Sequence, residues 1–222
     1  MIIWIASYPK SGNTWVRSLL GTYLYSDTGI FNFDLLKKIK QFPSKPYFKF
    51  FLKNFTDIKK VSDYWIAAQD RINLFNDGTI FLKTHSALCS LENNSFTNKN
   101  NTKAVIYVVR DPRNLITSFS HHYSMSTTES FNFLINKKKM LVAEKWGGKD
   151  FGIATVLGDW AEHYKSWQNL KFAPILVIKY EDLIKDTKNT FISILNFLST
   201  LMDIKIDKKK IINTVHSCNF EK

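Results

Sequence analysis

The residues best placed to do chemistry begin at position 8. Tyr8-Pro9-Lys10-Ser11-Gly12-Asn13-Thr14-Trp15 follows a short apolar run and precedes a helical stripe. A helix N-terminus presents N–H groups without intrahelical partners and the positive end of the helix dipole. Gly12 lets the backbone approach an oxyanion closely, Lys10 adds a full charge, and Ser11 and Thr14 add hydroxyls. This is the construction of a phosphate cradle. It is not the GxxxxGKS or GxxxxGKT loop of nucleoside triphosphatases, because Lys10 precedes Gly12, and the loop offers no evident magnesium anchor. The plainer alternative is a structural turn capped by Thr14.

Two further segments carry charge or a titratable group to the end of an apolar run. Val108-Val109-Arg110-Asp111-Pro112-Arg113 closes one such run and opens a helix, with Ser118 about two turns on. Arg110 is a fork of donors suited to a dianionic phosphate, and Pro112 fits a first helical turn. Arg110 and Ser118 converge on one phosphate only if the strand end folds back beside the helix. The alternative is an Arg–Asp ion pair on a surface helix. Lys83-Thr84-His85 ends another run. Histidine near neutrality can take a proton from a hydroxyl as it attacks, and Lys83 can neutralise charge on the group being transferred. His121, His122, His163 and His216 compete for the role of base.

With these residues in view, a family resemblance emerges. YPKSGNTW resembles the 5′-phosphosulfate loop of the cytosolic sulfotransferases, usually YPKSGTTW, with Asn13 in place of one Thr. RDPRNLITSFSHHY resembles their 3′-phosphate segment, in which the Arg and Ser, here Arg110 and Ser118, bind the nucleotide. KTHSA keeps the Lys, Thr and His of their KTHLP motif, whose His is the general base, and loses its Leu-Pro. The resemblance also implies an adenine-binding set of Trp15, Tyr180 in YEDL, and Cys218 and Phe220 in HSCNFEK. It implies 3′-phosphoadenosine 5′-phosphosulfate (PAPS) as donor, no metal, and transfer of a sulfuryl group to a hydroxyl or amine of a small-molecule, glycan or lipid acceptor. Lys10 and Lys83 would stabilise charge, and Ser11, Gly12, Asn13 and Thr14 would hold the 5′-phosphate. The family's RKGxxGxW segment has no counterpart, so residues 1–222 read as one sulfotransferase domain, C-terminally truncated relative to the family.

These residues need strands and helices to position them. Ile2–Ala6, Thr79–Lys83, Ala104–Val109 and Ile175–Lys179 read as strands. Trp15, Val16, Leu19, Leu20, Tyr23 and Leu24 form a helical stripe, and helices are predicted over 114–123, 156–170, 187–198 and 208–215. Strands alternating with helices predict a three-layer αβα sandwich around a mainly parallel sheet, with ligands beyond the carboxyl ends of the strands. The stretches 31–55, dense in Phe and Lys, and 124–152 read as a lid, an acceptor wall or a surface excursion with an aromatic satellite core.

Composition bounds the partners. The 222 residues include 31 Lys+Arg against 19 Asp+Glu, a net charge of +12, which favours anionic partners. Aromatic residues make up 15%, which leaves a nucleotide kinase, a non-catalytic nucleotide-binding protein or a nucleic-acid-binding protein as rivals, although no nucleic-acid motif is present. Cys89 and Cys218 match no metal-binding spacing and read as free thiols. The N-terminus has no basic leader and no span-length apolar run, which predicts a cytoplasmic protein.

Overall fold

The computed structural model describes residues 1–141 and 153–219. From β1 (Ile2–Ser7) the chain enters α1 (Asn13–Tyr25), α2 (Phe33–Lys37) and the two-residue strand β2 (Lys40–Gln41). Helices α3 (Lys45–Phe48), α4 (Ile58–Ser62) and α5 (Trp65–Leu74) lead to β3 (Ile80–Thr84). An antiparallel pair, β4 (Ser90–Leu91) and β5 (Asn94–Ser95), precedes β6 (Thr102–Val109), α6 (Pro112–Tyr123) and α7 (Thr127–Leu134). A second pair, β7 (Met140–Leu141) and β8 (Thr155–Val156), precedes α8 (Trp160–Gln168) and β9 (Ile175–Lys179). The described chain ends in α9 (Tyr180–Lys185), α10 (Thr187–Ser199) and α11 (Lys208–Ser217).

The central sheet has the order β2-β3-β1-β6-β9, and every pair in it is parallel. Strand β1 is buried along its whole length, as a strand covered on both faces must be. Alternate residues face opposite layers. Ile3, Ile5, Phe81, Ile106 and Val108 pack under α1, α10 and α11 through Leu19, Leu20, Ile194, Leu195 and Ile211. Trp4, Ala6, Leu82 and Tyr107 pack on the other face against Phe42, Phe48, Trp65, Phe96 and Trp167. The two faces make the three-layer αβα arrangement expected from the alternation of elements.

The chain leaves β1 towards β2 and leaves β6 towards β9. Adjacent strands whose connections depart in opposite directions open a crevice at their carboxyl ends, where ligands of such sheets bind. The loops after β1 and β6 therefore face each other.

Two expectations are corrected. Residues 156–159 are not helical: Val156 pairs with Met140, its carbonyl accepts from the Ala87 amide at 2.8 Å, and Gly158 takes φ 67°. The helix begins at Trp160, where the Asp159 side chain accepts the Glu162 amide as an N-cap. The aromatics of the stretch 31–55 do not form a satellite core, because Phe42 and Phe48 are fully buried in the second face of the central sheet and Lys40–Gln41 adds the edge strand. The stretch 124–152 lies partly outside the described residues.

Ile106 sits on the central strand β6 with no exposed surface. Ile106→Ala is expected to cost about 2–5 kcal/mol, the range for a buried aliphatic truncation. A denaturation midpoint at unchanged slope reads this directly.

Candidate functional site

The cradle is built by the loop between β1 and α1. Lys10 and Gly12 both take positive φ, 67° and 95°. Gly12 is the N-cap of α1 and no side chain caps it, so the first amides of the helix keep their donors. Glycine is required at position 12 for two reasons. Its φ is left-handed, and a Cβ there would lie 2.4 Å from the Tyr180 ring.

The second loop meets the first. The Arg110 guanidinium donates from Nη1 to the Lys10 carbonyl at 3.1 Å and lies 4.3 Å from the centroid of the Tyr180 ring. Trp15 packs edge-on to the same ring, with centroids 6.1 Å apart. Lys10, Gly12, Trp15, Arg110 and Tyr180 thus converge although 170 positions separate the first from the last. Glu181 accepts the Asp111 amide at 3.0 Å, and Asp111 caps α6 through the Arg113 amide, which fixes the corner that presents Arg110. Burial and the neighbouring Arg110 charge lower the pKa of Lys10.

Several polar atoms around these loops are buried and lack a partner. They are Tyr8 Oη, Ser11 Oγ, Trp15 Nε1 and Arg110 Nε, and beside them Arg17 Nε and Ser86 Oγ. Buried polar groups are normally satisfied, so a cluster of orphans at a strand-end crevice marks where a polar ligand completes the bonding. Their chemistry, donors with cationic neighbours, fits a phosphate-bearing ligand with a flat base.

His85 follows β3. Its Nδ1 lies 2.8 Å from the Ser7 carbonyl and 3.2 Å from Ser7 Oγ. A carbonyl only accepts, so Nδ1 carries the proton and Nε2 keeps its lone pair. Burial, with the nearby Lys83 charge next, holds the imidazole well below its usual pKa, so it is neutral at pH 7. Lys83 is itself pushed down to about 7, by burial first and then by the charge of Arg17. A neutral imidazole with a bare Nε2 is a competent base.

The backbone that carries His85 is held from α8. His163 Nε2 donates to the His85 carbonyl at 3.0 Å, so its Nδ1 accepts from the Tyr107 hydroxyl at 2.8 Å. The Trp167 indole donates to the Ser86 carbonyl at 3.0 Å, and the Leu88 amide donates to Ser166 Oγ at 3.0 Å. His163 has both nitrogens engaged and no exposed surface, which removes it from the competition for the base. His121 and His216 are exposed at helix ends. His122 is exposed too, and its pKa is lowered by slight burial and then by Lys10, which places it within range of the cradle.

Other predicted residues stand differently. Ser11 is buried in the loop and Thr14 is exposed at its rim. The Asn13 side-chain NH2 turns back to β1, donating to the Ile5 carbonyl at 3.0 Å and to Ser7 Oγ at 3.1 Å, while its Oδ1 is buried without a partner. Ser118 is half-buried on α6 and, among the described residues, makes no hydrogen bond to Arg110. Cys218 stands apart from the loop after β1. Its thiol is fully buried 3.5 Å from Thr22 Oγ1, about 10 Å along α1 beyond Trp15. A free thiol behaves as a small apolar group, and here it packs α11 against α1. Phe220 lies outside the described residues.

The motifs gave Tyr8 no role of its own and did not include Arg17 or Tyr107. An Arg one turn into an otherwise apolar helix was the available signal for Arg17. No sequence signal links Tyr107 to His163. Gly12→Ala is expected to lower the melting temperature through its left-handed φ and the Tyr180 clash, at about 1–3 kcal/mol. In a Tyr180→Ala background the loss should be smaller, and thermal unfolding of the four proteins checks it.

Known proteins share this fold and part of this sequence. Luciferin sulfotransferase of Photinus pyralis is 25% identical over 225 residues, covering 98% of this chain and 55% of that protein. Among solved structures, retinol dehydratase in complex with androsterone and the inactive cofactor PAP superposes with a TM-score of 0.61 at 17% identity, covering 99% of this chain and 64% of the other. Mouse sulfotransferase SULT7A1 complexed with PAP gives 0.59 at 21% identity, covering 99% and 65%. These two likenesses concern the fold. The chain spans little more than half the length of the curated relatives it matches, 55% to 57% for the first three. The family model for the sulfotransferase domain matches residues 2–222, and the chain belongs to that family.

Proposed function

We propose that this chain is a PAPS-dependent sulfotransferase of one domain, acting in the cytoplasm on a hydroxyl or amine acceptor. The observation that carries the reading is the convergence of Lys10, Gly12, Trp15, Arg110 and Tyr180 at the uncapped start of α1, with Ser11 Oγ, Trp15 Nε1 and Arg110 Nε buried and unpartnered. The loop residues 11–14 and Lys10 would hold the 5′-phosphosulfate end. Arg110 and Ser118 would hold the 3′-phosphate, and Trp15 and Tyr180 the adenine. When bound, PAPS supplies the sulfuryl group, which passes in line to the acceptor.

His85 would act as the general base. Its Nε2 lone pair takes the acceptor proton, while the Ser7 carbonyl holds Nδ1–H and steadies the imidazolium that forms. Lys83 and Lys10 would oppose the charge that builds on the transferred and leaving oxygens. Most of the acceleration then comes from positioning and from cations fixed before the reaction begins.

Transfer from PAPS to a panel of phenols, alcohols and amines tests the reading. His85→Asn is expected to lower kcat by at least about a hundredfold, the usual contribution of a general base, with nucleotide binding retained. Transfer that survives His85→Asn would overturn the base assignment, and magnesium-dependent ATP turnover would favour a kinase instead.

The pH profile is a separate check. The base form of His85 is present wherever pH exceeds its lowered pKa, so the acid limb of kcat/KM should fall below pH 6.5. The protonated form of Lys83 is lost as pH rises through about 7 in the free protein, which gives an alkaline limb there. Lys83→Arg keeps its charge at all accessible pH and should move that limb upward.

A further inference from the structure

Arg17 has no part in the nucleotide cradle. It stands one turn into α1, and its Nη2 donates to the Leu36 carbonyl at 3.0 Å and to the Ile39 carbonyl at 2.7 Å. Those carbonyls lie at the end of α2 and the approach to β2. Strand β2 pairs with β3, with Gln41 opposite Lys83, and the Phe42 amide donates to the Lys83 carbonyl at 2.8 Å. The guanidinium therefore sits on the β3 side of β1, while Arg110 and Tyr180 stand on the β6 side.

Arg17 is half-buried, and two uncharged carbonyls are its only hydrogen-bond partners among the described residues. Its Nε is buried without a partner, and no carboxylate pairs with it among the described residues. The acids around the site are engaged elsewhere. Asp111 caps α6 and pairs with Arg113, Glu181 accepts the Asp111 amide, and Asp159 caps α8. Lys83 stands opposite Ile5 in the sheet and two residues from Phe81, so its side chain leaves on the face that α1 and Arg17 cover. Burial is the larger cause, and the Arg17 charge adds to it in lowering the pKa of Lys83 and, least among the causes, that of His85. A buried guanidinium without a counter-charge is costly in itself and becomes favourable when an oxyanion completes its fork.

We propose that Arg17, with Lys83 beside it, forms an oxyanion subsite next to His85, and that the acceptor is a hydroxyl compound carrying an acidic group such as a carboxylate. The proposal rests on the sulfotransferase reading, with His85 marking where the acceptor hydroxyl stands. The acidic group would lie on the β2–β3 side and the nucleotide on the β6 side. Arg17 is then a specificity residue, and the carbonyls of Leu36 and Ile39 hold its fork in place.

The test compares 4-hydroxyphenylacetate with 4-hydroxyphenylacetamide, which match in shape and differ in charge, by ligand-observed NMR titration of the whole chain. Titrations are run with and without adenosine 3′,5′-bisphosphate, on wild type, Arg17→Gln and Arg17→Lys. Wild type is expected to favour the acid by about tenfold, the worth of one charge-assisted hydrogen bond. Arg17→Gln should abolish the preference, leaving the amide and the bisphosphate binding as before, and Arg17→Lys should keep part of it. Equal binding of acid and amide by wild type, or no binding of the acid, would overturn the proposal whether or not Arg17→Gln folds. So would an equal loss for both compounds in a folded Arg17→Gln. A preference for the acid without any binding of the bisphosphate would leave the subsite standing and refute the sulfotransferase reading instead.

Discussion

The hydrogen bond from Arg110 to the Lys10 carbonyl joins the two halves of the site. It spans the point where the sheet's connections diverge, and it works because Lys10 adopts a left-handed backbone that turns its carbonyl towards β6. From that bond the rest follows geometrically. Arg110 is pressed on the Tyr180 ring, Tyr180 covers Gly12, and Gly12 has no side chain in its way. Two cations, Lys10 and Arg110, are thereby held close together before any anion arrives, which costs stability in the free protein and is the preorganisation that anion binding requires.

His85 depends on a different set of supports. Ser7 fixes its tautomer, and Ser7 is itself held by Asn13 from the first turn of α1. On the other side, α8 anchors the His85 and Ser86 carbonyls through His163 and Trp167. His85 and the loop after β1 thus share one residue, Ser7, at the end of β1. A shift of that strand end would disturb that loop and His85 together.

Much of this was legible in the sequence for a physical reason. Strands buried on both faces read as continuous apolar runs, and β1, β3, β6 and β9 all stand within about two residues of where such runs predicted them. The strand–loop–helix context of Lys10 and Gly12 predicted the turn between β1 and α1, where the structure has it. What stayed hidden depends on contacts remote in the chain. Strand β2 is two residues long and has no periodicity to detect. Helix α5 carries a buried Gln69, whose amide donates to the Phe96 carbonyl, so its inward face does not read as apolar. Val156 belongs to a strand because Met140 pairs with it, which no local rule reports. The burial of Cys218 against Thr22, where α11 packs on α1, is likewise a contact that no local pattern reports.

The central claim is that two phosphate-binding loops form one site for a doubly phosphorylated nucleotide. Calorimetric titration with adenosine 3′,5′-bisphosphate and with 5′-AMP, on wild type and on Arg110→Ala, tests it most directly. The account predicts that wild type binds the bisphosphate at least about tenfold more tightly than 5′-AMP, the worth of one charged phosphate contact, and that Arg110→Ala removes the difference. Equal affinity for the two nucleotides in wild type, or a preference that survives Arg110→Ala, would contradict it.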